Sequence, residues 1–154
     1  MATVEVTFTP LPAHVRTARL VATAVARRSG VDEALLDEVR LAVGEACSRA
    51  VEAHRRHCPA EPVKIEMTDQ GERFVVVVSD QAPTPGASTG ASAGANGHGL
   101  GPGAATLVQG ADDAGIPAGF GLAVISGLAD DVHVSSTSSG VSVRMSWPSA
   151  APAA

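Results

Sequence analysis

The strongest constraint on this chain is the order in which its hydrophobic period changes. In "TVEVTFTP" a period of two puts Val4, Val6 and Phe8 on one face and stops at Pro10, which predicts a short strand. The period then lengthens. "PAHVRTARLVATAVARRSG" places Val15, Ala18, Leu20, Val21, Ala22 and Val25 at helical spacing and stops at Gly30. A longer second helix is predicted from Asp32, a fitting N-cap with Glu33 in the first turn, to the residues before Pro59. "PVKIEMT" and "RFVVVVSD" read as strands joined at "DQG", and "VHVSST" and "GVSVRMSWP" as strands joined at "SSG". Each pair should close as a hairpin. Between the hairpins, residues 81–118 are mostly Gly, Ala, Ser, Thr and Pro, the composition of a lid or an insert. Order resumes in "GFGLAVISGLADDV", a helix opened by glycine.

Hairpins with helices grouped apart predict an α+β fold, a two-layer sandwich of a mixed, mostly antiparallel sheet with helices on one face. A doubly wound dinucleotide fold fails, because no Gly-rich turn joins an early strand to a helix. The expectation is one domain over residues 1–148 and a flexible tail over 149–154.

Composition narrows the function. Sixteen acidic residues against eleven Lys and Arg give a net charge of −5, and aromatics are 3% with no tyrosine. That balance speaks against a duplex-binding surface and against stacking on single strands, so no direct nucleic acid is expected. No apolar run approaches a membrane span, and "MATVEVTFTP" is no signal peptide. Cys47 and Cys58 sit too far apart along one helix to bridge, and free thiols place the chain in the cytoplasm.

On a helical wheel the apolar face of the second helix runs through Leu35, Val39, Ala42, Val43, Ala46 and Ala50, with Glu45 and Arg49 at its edge. Two readings of that pair stay open. It is a surface ion pair at i,i+4, worth about 0.2–0.5 kcal/mol, or it is an altered active site. Near the helix end, His54, His57 and Cys58 carry metal-ligating atoms, but the spacing before a proline is a weak signal and no metal is expected.

"EACSRAV" on the helix, "VVVVSDQAP" at a strand end, a Gly-rich segment and then "GFGLAVISGLAD" resemble, in that order, the anti-sigma factor serine kinases of the histidine-kinase-like (Bergerat-fold) ATPase superfamily. The resemblance runs from about Val4 to Trp147. It implies that Glu45 is the general base and that Asp80 accepts from the adenine amino group. It also implies that the Gly119-x-Gly121 backbone meets phosphate at a helix N-terminus. The sequence departs from that pattern where the family carries a magnesium-holding Asn, here Arg49, and where its second box carries glycines, here Ala82 and Thr84. A guanidinium has no lone pair for a metal, so the ATP site reads as degenerate and magnesium as unsupported. Arg49 is expected to pair with Glu45. "GHGLG" (97–101) also looks like the third box, but Pro102 follows it, so "GFGLAVISGLAD" is preferred and His98 falls in the lid.

The resemblance implies a cytoplasmic regulator that binds a sigma factor and an anti-sigma antagonist. It further implies a homodimer and a partner surface at Arg16 and Arg19 on the first helix. The alternatives are an active serine kinase acting on the antagonist and a stand-alone nucleotide sensor.

Overall fold

The structure is a computed structural model that describes residues 2–82 and 124–150. The elements are β1 (Ala2–Phe8), α1 (Pro12–Arg28), a 3-10 turn (Glu33–Leu35), α2 (Leu36–His57), β2 (Val63–Asp69), β3 (Arg73–Ser79), β4 (Asp131–Thr137) and β5 (Gly140–Pro148). Residues 124–128 are helical ahead of β4.

Both expected hairpins form, with β2 against β3 and β4 against β5. They join through β3 and β5, and β1 adds to β2, giving a five-stranded sheet of order β1-β2-β3-β5-β4. All four pairings are antiparallel, so the mixed sheet foreseen from sequence is antiparallel throughout the described residues. The helix-covered face carries every second residue. Phe74, Val76 and Val78 of β3 stand opposite Trp147, Met145 and Val143 of β5. All six are buried, with Val39, Val43 and Cys47 of α2 in the same core. Burial of each larger apolar side chain contributes about 1.5–3 kcal/mol. Ile125 of the helical segment is fully buried in this core, and the Trp147 indole Nε1 donates to the Leu128 carbonyl at 3.1 Å.

The helix ends follow from local chemistry. Pro12 stands in the first turn of α1. At the other end Gly30 takes φ +91°, which lets its N–H reach the Arg27 carbonyl and lets Val31 N–H reach Ala26. Asp32 caps the 3-10 turn rather than α2 itself, its Oδ1 accepting from Ala34 N–H at 2.8 Å. The expected flexible tail is tied down at its first two residues. Ser149 N–H donates to Glu72 and Ala150 N–H to Gly30, because the chain leaving β5 crosses the β2–β3 turn and the α1 exit.

Candidate functional site

Asp80 follows β3 directly. Its N–H donates to the Val141 carbonyl at 2.9 Å, extending the β3–β5 ladder by one rung. Its carboxylate then turns inward, and each oxygen finds a donor. Oδ1 accepts from the N–H groups of Ala82 at 3.0 Å and Val141 at 3.2 Å, and Oδ2 accepts from Arg49 Nη1 at 2.8 Å. The Asp80 side chain is 1% exposed and that of Arg49 is 17% exposed. The β4–β5 turn approaches so closely that a Cβ at Gly140 would collide with the Asp80 carbonyl oxygen, and Gly140 takes φ +152°. Glycine is required there on both counts.

The expected Glu45–Arg49 pair is replaced by Arg49–Asp80. A buried carboxylate offers Arg49 a charge-assisted bond in a low-dielectric setting, whereas Glu45 at i−4 offers one exposed to water and screening. Glu45 is half-buried and has no ion-pair partner among the described residues. Ala82 is buried and has no positive φ, so its methyl group is accommodated without backbone strain. Its N–H closes a two-residue turn on Asp80.

His54 is a second buried polar group beside Asp80. The ring is fully buried; Nδ1 lies 2.8 Å from the Glu61 carbonyl and Nε2 accepts from Gln81 N–H at 2.8 Å. Both nitrogens are spent on backbone groups, and no cluster suited to a metal occurs among the described residues. Sequence reading placed His54 with His57 and Cys58. The signal it passed over is spacing, since His54 extends the buried stripe of Val43, Cys47, Ala50 and Val51.

Arg16 and Arg19 lie elsewhere. With Pro12, Ser48, Val51 and Glu52 they line a groove of about 360 Å³ between α1 and α2. Arg19 reaches it across Gly44, where an added Cβ would stand 2.5 Å from the arginine Cδ. Gly44 thus makes room for the arginine stem, a role its position in mid-helix did not announce. Neither guanidinium has an ion pair or hydrogen bond among the described residues. A second open groove, beside Asp80, is lined by hydroxyl groups of Ser135, Thr137, Ser139 and Ser142. The two sites occupy different elements and share no lining residue.

Burial pushes the Cys47 thiol up to about 12, and Cys58 is raised by burial and then by the charges of Asp80 and Glu61. Thr84, His98, Gly119, Gly121 and the rest of residues 83–123 lie outside the described residues. No helix among the described residues is long and apolar enough to cross a membrane.

A sequence model of the histidine kinase-like ATPase domain matches residues 8–147. A search of curated proteins finds no match. Among solved structures, the chain is similar to the RsbU and RsbW domains of Rv1364c from Mycobacterium tuberculosis. The TM-score is 0.63 and the identity 14%, over 99% of this chain and 34% of that one. Likeness at that identity shows the fold alone, and this chain spans about a third of that chain's length.

Proposed function

Because the chain belongs to the histidine kinase-like ATPase domain family, we propose that it is a cytoplasmic regulator of the anti-sigma type. In this reading it holds a sigma factor and an anti-sigma antagonist in competition, through a site poorly suited to magnesium-ATP. The observation that carries it is the Arg49–Asp80 pair. In the proteins this chain resembles, the Asp carboxylate accepts from adenine. Here both of its oxygens already have donors from the chain itself. Adenine would have to displace a buried, charge-assisted bond, and Arg49 brings positive charge with no lone pair to the position where a metal ligand is expected. Phosphoryl transfer depends on placing metal and charge, so the arrangement favours binding over catalysis.

The partner surface in this reading is the α1–α2 groove. Its two arginines are unpaired among the described residues, and arginine is enriched at the energetic centres of protein interfaces. Acidic side chains on a partner complement them, and a homodimer would present the groove twice.

One observation favours the kinase alternative: Glu45 is free of any ion pair among the described residues, so no partner occupies the carboxylate a general base needs. A displacement assay separates the two readings. Labelled sigma factor bound to the protein is challenged with antagonist, with and without magnesium-ATP. The regulator reading expects displacement without nucleotide and no change in Glu45→Ala. Release that requires magnesium-ATP and disappears in Glu45→Ala supports the kinase.

A further inference from the structure

Gln81 N–H can only donate, so His54 Nε2 must be the bare, accepting nitrogen. The Glu61 carbonyl can only accept, so Nδ1 must carry the proton. The neutral ring in that one tautomer therefore joins three pieces of chain: the last turns of α2, the α2–β2 connection at Glu61, and the residue after Asp80. The Gln81 side chain adds a second tie, its Nε2 donating to the Pro62 carbonyl at 3.5 Å. Gln81 stands between the Asp80 carboxylate and the Ala82 N–H that it accepts from. Holding Gln81 therefore fixes the turn in which that carboxylate is bound.

We infer that His54 is a proton-sensitive positioning residue: its neutral ring holds Gln81 so that the Asp80 carboxylate stays on Ala82, Val141 and Arg49, and protonation releases that hold. A second ring proton places N–H against N–H at Gln81, so the bond becomes a repulsion. The site therefore loosens as the pH falls through the ring's titration and is held above it. The titratable or charged groups of the elements meeting there are Arg55, Arg56 and His57, all exposed in the last turn of α2, Cys58 after it, Glu61 in the connection, and Asp80 with its partner Arg49. None of them supplies Gln81 with another acceptor. The inference does not depend on whether a nucleotide binds.

Nitrogen-15 NMR on the full chain tests it. At neutral pH the ring should show a protonated Nδ1 and a bare Nε2, with a coupling through the hydrogen bond between Nε2 and the Gln81 amide nitrogen. On acidification the Ala82 and Val141 amide signals should move with the ring's own midpoint, while amides in the β1–β2 pairing stay in place. An Nε2–H tautomer, a missing coupling, or Ala82 and Val141 signals that ignore the ring's midpoint would each overturn the inference. His54→Phe keeps an aromatic ring, somewhat larger, and removes both nitrogens. It should speed amide exchange at Ala82 and Val141 by about ten-fold relative to the β1–β2 amides. Equal acceleration everywhere would mark a merely structural residue and count against the inference. If the variant does not fold, the pH series on the unaltered chain decides alone.

Discussion

Two arginines meet α2 from opposite situations. Arg19 lays its stem over Gly44 and leaves its guanidinium without a partner among the described residues, beside the equally unpaired Arg16. Arg49 starts on α2 itself and turns its guanidinium to a carboxylate that is 1% exposed and already holds two backbone N–H groups. Unspent charge is available to a partner, whereas spent charge holds the fold together. In the reading proposed above, the surface for recognition lies between the helices, and Asp80 is held by the chain's own donors.

The largest expected effect breaks the internal half of the comparison. Asp80→Ala strands the Arg49 guanidinium and two N–H groups, and should cost about 3–5 kcal/mol in a denaturant titration. A loss below about 1 kcal/mol would mean that the pair is no better than a surface contact. Gly140→Ala should cost about 2–3 kcal/mol, because the new Cβ meets the Asp80 carbonyl and the backbone sits at positive φ. The same change at Gly71, also at positive φ but with open space around it, should cost about 1 kcal/mol and so separates collision from backbone strain.

Much of this architecture is legible in sequence. The apolar run in "RFVVVVSD" and the alternation in "GVSVRMSWP" identified two strands, whose pairing with one another the structure adds, and Gly30 marked the end of α1. Period reports which face is buried, and burial is set locally. The course of the Arg49 side chain was not legible, because its partner lies 31 residues away and becomes a neighbour only when α2 packs on the end of β3. The part His54 plays was not legible for the same reason. Its acceptor and donor are backbone groups of two connections, and backbone groups carry no sequence signal. Gly44 looks like a blemish in a helix until Arg19 is laid across it.

Smaller effects sharpen the comparison. With its thiol pushed up to about 12 from a usual 9.0, Cys47 stays neutral and buried, so alkylation of the native protein at pH 8 should label Cys58 alone, and slowly. Labelling of both thiols would show that the core opens on that timescale. Raising the pH from about 9 towards 12 should lower stability, since the unfolded chain loses the Cys47 proton first while the folded chain still holds it. At the exposed end, Arg16→Ala should change stability by less than about 0.5 kcal/mol yet weaken partner binding. A stability loss as large as that of Asp80→Ala would erase the distinction between the two arginine sites.

The most direct test of the central claim is a calorimetric titration of ATP, with and without magnesium, into the parent chain and into Arg49→Asn. That substitution supplies an oxygen ligand and frees Asp80 Oδ2. The account predicts that magnesium strengthens ATP binding to the variant and not to the parent. Tight magnesium-ATP binding by the parent, with no gain in the variant, would contradict it and put the kinase reading first.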